Sequence, residues 1–196
     1  ISVFESVPAH FSLILDHIEE SPGKHALKSL RYTMMNGEGL PPEYCQRWFI
    51  AYPGIPMANV YGPTECSDDI THFKFSEVSD SWSHYVPIGK PVQNMKLYVL
   101  DKHLSLVPEG VPGELYASGD GVGLGYLDLP EKTKEAFIDN PFASEEDKAI
   151  GINTKLYKTG DLVRWLPGGI LEYLSRTDFQ VKIRGQRIEL GEIESA

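Results

Sequence analysis

The sequence predicts a mixed α/β fold in which a parallel-sheet α/β lobe is followed by a β-rich, barrel-like subdomain. Helical and strand periodicities alternate up to about residue 75, and beyond it short apolar runs are separated by Gly, Pro and Asp turns. With 196 residues, 41% of them hydrophobic and 11% aromatic, the chain can bury a substantial core.

The elements follow in order. Phe11, Ile14, Leu15 and Ile18 recur at helical spacing over residues 8–20, with Pro8 suited to a first turn and Ser21-Pro22-Gly23 to a stop. Leu30, Tyr32 and Met34 alternate as a strand running into Gly37-Glu38-Gly39. Pro41-Pro42 then open a second helix with Tyr44, Cys45, Trp48 and Phe49 on one face, and a short strand covers residues 57–61. In the second half, residues 96–100, 113–118, 155–165, 170–174 and 179–184 read as strands. A helix started by Pro130 and carrying Thr133 and Phe137 precedes an acidic loop at 144–148. Residues 189–196 read as the opening of a helix, and the first residue is Ile1; both lead us to expect a piece of a longer protein.

Bulk properties remove several function classes. A net charge of −10 opposes a polyanionic partner, so nucleic-acid binding is not expected, and Lys182, Arg184 and Arg187 read as a solvated or nucleotide-facing strand. Two cysteines, Cys45 and Cys66, cannot staple a domain of this size, and the six histidines show no metal-binding spacing. Neither a signal peptide nor a membrane span is read, and the cytoplasm is the expected compartment.

Chemistry concentrates in a few segments. Asn59-Val60-Tyr61-Gly62-Pro63-Thr64-Glu65 puts a strand end, a tight turn, then Thr and Glu in one loop, where parallel sheets carry ligand groups; a Gly-Pro turn with a capping Thr is the alternative. Without its flanking motifs Asp161 after Gly160 reads as a turn or capping residue, and Arg176 equally as a surface ion-pair partner. The stretch SGDGVGLG suggests a dinucleotide fingerprint, but no helix follows it directly, so that reading is rejected.

Taken together, NVYGPTE, GELYASGDGVGLGYL, LYKTGDLVRW and RTDFQVKIRGQRIELGEIE resemble the adenylation domains of nonribosomal peptide synthetases, members of the adenylate-forming superfamily, over nearly the whole chain. The resemblance implies that residues 1–84 form the C-terminal part of the α/β lobe with the amino-acid and adenine pockets. Residues 85–177 would form the β-rich subdomain, and 178–196 the hinge and start of a small C-terminal subdomain. It implies that Asn59 bonds the adenine amino group, that Tyr61 lies along the base, that Thr64 holds a phosphate oxygen and that Glu65 binds Mg²⁺. Asp161 would accept from the ribose hydroxyls, Tyr173 and Arg176 would complete the ribose and phosphate side, and Gly37, Glu38, Gly39 and Gly62 belong to the same nucleotide site. Asp178 matches the hinge and Lys182 a lysine that visits the site in one of two orientations; an amphipathic strand with a solvated Lys182 is the alternative.

The implied activity is attack of an amino-acid carboxylate on ATP to give aminoacyl-AMP, then transfer to the phosphopantetheine thiol of a peptidyl carrier protein domain beside a condensation domain. A phosphate loop and a distal catalytic lysine of the family lie outside this sequence, so the chain alone is expected to be inactive. The side-chain pocket maps to Glu5, Met34, Asn36, Val60, Asp68 and Asp69, whose three carboxylates suggest a basic or strongly polar substrate; Glu5 and Asp68 pointing into solvent or pairing with protein cations is the alternative. Gly123-Leu124 stand where the family usually has Ala-Arg, and Ser175 where it usually has Gly. An acyl- or aryl-acid:CoA ligase and a noncatalytic nucleotide-binding module are the rival readings.

Overall fold

The computed structural model describes residues 1–21, 23, 27–178 and 180–188. Its elements are β1 (Val3–Ser6), α1 (Pro8–Glu20), β2 (Tyr32–Met35), α2 (Pro42–Ala51), β3 (Met57–Tyr61), a 3₁₀ turn (Thr64–Cys66), β4 (Thr71–Phe75) and β5 (Lys90–Pro91). They continue as β6 (Met95–Leu100), β7 (Gly113–Gly119), α3 (Pro130–Ala136), β8 (Phe137–Asp139), α4 (Glu145–Ile150), β9 (Lys155–Leu166), β10 (Ile170–Arg176), β11 (Val181–Ile183) and β12 (Gln186–Ile188). The chain divides into two compact units, one made of residues 1–60, 72–89 and 179–196, the other of 61–71 and 90–178.

The first unit carries the parallel sheet. Strands β1, β2 and β3 run parallel, with Glu5 opposite Met34 and Met34 opposite Ala58, and β4 follows β3 in the sheet order. Helix α1 starts with Pro8 in its first turn, where a missing N–H costs nothing, and buries Phe11, Leu15 and Ile18 on one face. Helix α2 buries Cys45 and Trp48. These side chains meet Met35, Leu40, Met57 and Val86 in one core. The Trp48 indole N–H donates to Ile55 O at 2.9 Å, so the largest buried ring leaves no polar group unmet. The unit also holds the β11–β12 hairpin, whose two-residue turn, Arg184-Gly185, has φ of 54° and 75°, the left-handed pair of a type I′ turn.

The second unit is antiparallel. Its sheet runs β10-β9-β7-β6, with β8 added on β9. Cys66, Ile70, Met95, Ala117, Phe137 and Tyr157 form its main core.

Three local expectations change. Phe137 is not helical: α3 ends at Ala136, and Phe137 enters β8 opposite Tyr157, where its ring is buried. The acidic stretch is not a loop but α4. Ser144 Oγ accepts from Asp147 N at 3.0 Å, Glu145, Glu146 and Asp147 fill the first turn, and Gly151 ends the helix at φ 74°. Strands β1, β4, β5, β8 and β12 are additional to the expected set, being two to five residues long. The helix read over residues 189–196 lies outside the described residues. Among the described residues, no helix is long and apolar enough to cross a membrane.

Candidate functional site

In the first unit, β3 carries Asn59, which is buried. Its Nδ2 donates to Val86 O and Pro87 O, both at 3.0 Å. Two carbonyl partners fix which end of the amide is nitrogen and consume both of its protons, so Oδ1 is the group it can offer a ligand. The opposite face of the strand carries Val60. Parallel register and the two-residue period put Glu5, Met34, Asn36 and Val60 on one face of β1, β2 and β3. Glu5 is exposed, and its Oε1 accepts from Asn36 Nδ2 at 2.5 Å.

The loop after β2 is built around its glycines. Gly37 has φ 79°, and a Cβ on Gly39 would sit 2.6 Å from the Tyr85 ring. Glu38, between them, accepts from Ala9 N at 3.2 Å through Oε2 and from Gly185 N at 2.9 Å through Oε1. Lys182 lies on β11 opposite Arg187.

The second unit gathers residues far apart in the chain around one carboxylate. The Tyr61 hydroxyl donates to Asp161 Oδ2 at 2.5 Å, across 100 residues. From the other side, Arg176 Nη1 donates to Asp161 Oδ1 at 3.0 Å and to Thr159 O at 2.8 Å. Asp161 and Arg176 face each other across β9 and β10 because a bulge between Tyr173 and Ser175 shifts the register. Asp161 N donates to Thr159 Oγ1 at 3.0 Å, fixing the turn. Burial first, and the Asp161 charge second, push the Tyr61 hydroxyl well above the ordinary tyrosine range, so it is a neutral donor. Hydrogen bonds and charge from Asp178 and Asp161 outweigh burial and raise Arg176, which stays cationic.

Arg176 also holds Asp178 with a fork, Nε to Oδ1 at 2.9 Å and Nη2 to Oδ2 at 2.6 Å. Gly160 makes room for it: at φ 72°, a Cβ there would meet Arg176 Nη2 at 2.7 Å. Tyr173 stands on β10 opposite Val163.

The Tyr61 to Ile70 loop closes on itself, Ile70 N donating to Tyr61 O at 2.8 Å. Gly62 is required because the Asp68 carbonyl oxygen passes 1.7 Å from where its Cβ would be. Ser67 and Asp68 have φ of 58° and 87°, a strained pair of the kind found at binding loops. Thr64 is exposed at the start of the 3₁₀ turn, and Asp68 is exposed beyond it. Glu65 is tied to the GVGLGY segment: its Oε1 accepts from the Tyr126 hydroxyl at 2.7 Å and its carbonyl from Gly123 N at 2.8 Å. Tyr126 and Thr159 are supports that sequence reasoning missed, although both lie inside the motifs GLGYL and YKTGD.

The family model of AMP-binding enzymes matches residues 1–127. The chain belongs to the AMP-binding enzyme family. Among curated relatives, surfactin synthase subunit 1 of Bacillus subtilis strain 168 is 44% identical over 200 residues, covering 100% of this chain and 5% of that protein. Bacitracin synthase 1 of Bacillus licheniformis is 40% identical over 196 residues, covering 99% and 4%. The chain thus spans under a tenth of the length of these relatives.

Among solved structures, the Vibrio cholerae adenylation domain AlmE, in complex with glycyl-adenosine-5'-phosphate, aligns with a TM-score of 0.82 at 34% identity, over 100% of this chain and 35% of that one. Holo-PA1221, a nonribosomal peptide synthetase protein containing adenylation and PCP domains, aligns at 0.85 and 25% identity, over 99% and 32%. The resemblance to peptide-synthetase adenylation domains and the mixed α/β fold it implied are both borne out by these relatives.

Proposed function

We propose that this chain contributes the nucleotide and amino-acid sites of an enzyme that activates an amino acid as aminoacyl-AMP and passes it to a carrier-protein thiol. The observation that supports it most is the Asp161 carboxylate, gripped by Tyr61 and Arg176 and so joining the NVYGPTE loop, the TGD turn and the strand before the proposed hinge. A carboxylate accepts at about four lone-pair positions and donates at none, so beside these protein donors it suits a vicinal diol such as the ribose 2′- and 3′-hydroxyls. The Tyr61 ring would lie against the base, and Asn59, with only its oxygen to offer, would accept from the adenine amino group.

Thr64 would donate to a phosphate oxygen. Glu65, an anionic oxygen ligand with one oxygen steadied by Tyr126, fits a Mg²⁺ ion that takes one carboxylate and completes its shell with phosphates and water. Such an ion neutralises charge on the phosphates. In the reaction the amino-acid carboxylate attacks the α-phosphorus, the bond to pyrophosphate breaks, and the phosphopantetheine thiol of a peptidyl carrier domain later displaces AMP to give a thioester. A condensation domain would use that product.

The side-chain pocket would take a basic or strongly polar amino acid. Glu5 shares a sheet face with Met34, Asn36 and Val60, and the partner it has there, Asn36, is neutral, leaving its charge for a substrate cation.

Calorimetry of a nonhydrolysable aminoacyl-AMP analogue tests the nucleotide part. Asp161→Ala should weaken binding by about tenfold or more, the scale of lost hydrogen bonds to a charged group. Unchanged affinity overturns the assignment. An ATP–pyrophosphate exchange panel on the full-length protein tests the substrate, and preference for an apolar amino acid ends that part of the reading.

A further inference from the structure

We infer that Glu38 is a latch for the C-terminal hairpin, holding the β11–β12 turn against the start of α1. The two ends of its carboxylate serve two elements, Ala9 N in the first turn of α1 and Gly185 N in the hairpin turn 147 residues further along the chain. Helix α1 calls for such a group, since Val7 at its N-cap makes no side-chain cap bond and no acidic residue lies in its first turn. A carboxylate brought in from another loop supplies both the acceptor and the favourable charge at that helix end.

The hairpin calls for it as well. In a type I′ turn the Gly185 N–H faces out of the ladder and needs an acceptor of its own. The seat is shaped for a glycine: a Cβ on Gly185 would lie 2.6 Å from Val7 Cγ1, and the Gly185 Cα lies 3.7 Å from where a Cβ on Gly37 would be. Close backbone approach at Gly37 and Gly185, with Glu38 between helix and turn, describes a docking surface with a charged catch. This goes beyond the nucleotide-side role given to Glu38 by resemblance, and it sets how long the hairpin carrying Lys182 stays seated.

The ligand-free chain provides the test, so its outcome is separate from any nucleotide binding. Amide hydrogen exchange is followed at Gly185 and across β11 and β12, together with tryptic cleavage after the exposed Arg184, in parent, Glu38→Ala and Glu38→Gln. Exchange at residues 57–60 of β3 monitors the intact core. With that core still protected, Glu38→Ala should raise Gly185 exchange and Arg184 cleavage about tenfold, as expected for losing a charged acceptor, and Glu38→Gln, which keeps one acceptor oxygen, should fall between. If Glu38→Ala loosens only Ala9 and leaves the hairpin within twofold of the parent, Glu38 is a helix cap and no latch. If Glu38→Ala fails to fold, the Glu38→Gln comparison decides: hairpin exchange and cleavage within twofold of the parent overturn the latch, and a selective rise in both supports it.

Discussion

Substituting Gly160 by alanine tests how the TGD turn is built. At φ 72° an L-residue costs roughly 1–2 kcal/mol relative to glycine. The new Cβ would also stand 2.7 Å from Arg176 Nη2 and 3.1 Å from Asp178 Oδ2, so the guanidinium has to move. That side chain is 17% exposed and makes charge-assisted bonds to Asp161 and Asp178, each worth about 1.5–3 kcal/mol. Losing one such bond together with the backbone term gives about 2.5–5 kcal/mol, a fall in Tm of about 5 °C or more for a chain of this size.

Thermal unfolding of Gly160→Ala, Arg176→Ala and the double variant separates the two terms. With the guanidinium gone, Gly160→Ala should cost only the backbone part, leaving a coupling of about 1.5–3 kcal/mol. Equal cost in both backgrounds would refute the crowding argument, and a total cost below about 0.5 kcal/mol would refute the turn conformation as well.

Gly62→Ala should be worse tolerated locally, because the atom it meets is the Asp68 backbone oxygen, which cannot rotate away. Exchange at the Ile70 amide should rise sharply while β9 stays protected, and a protected Ile70 argues against loop closure. Asp147 is lowered to about 2, chiefly by hydrogen bonds from Lys96 and Asn153. Because the folded value is depressed, its contribution is fully present above about pH 4 and is lost as pH falls towards 2; Asp147→Asn should flatten that part of the acid-unfolding curve. Burial raises the Cys45 and Cys66 thiols to about 12, so a maleimide at pH 7 should label the native chain slowly and the urea-unfolded chain at once. Rapid native labelling would show that one of these cores opens.

Much of the framework could be read directly. Pro8 and the apolar stripe of α1 each express one rule of local geometry, and the structure follows them. The 144–148 stretch departs from its loop reading for an instructive reason. Its charge draws attention away from a Ser N-cap, three acids in the first turn and a closing Gly, which together specify a short helix. Continuity with α3 suggests a helical Phe137, whereas burial against Tyr157 decides its state.

At the site, the motifs name Tyr61, Asp161 and Arg176 as ligand residues, but the contact between Tyr61 and Asp161 spans 100 residues and has no local signature. The alignment of Asp161 with Arg176 depends on a bulge that residue pattern alone does not announce. Glu38 is legible as part of a glycine-flanked turn, not as the partner of a hairpin near the other end of the chain.

The lobe built on β1, β2 and β3 is not one stretch of chain: it takes residues 1–60 and 72–89, and then nothing until 179. During synthesis at about 5–20 residues per second, those first segments leave the ribosome about 5–20 s before the hairpin that rests on Glu38. The intervening antiparallel sheet is nearly continuous in sequence and can be completed within that delay. The seat at Val7, Gly37 and Glu38 is therefore filled only after that sheet has been made, and it stays open to water or to a chaperone in the meantime.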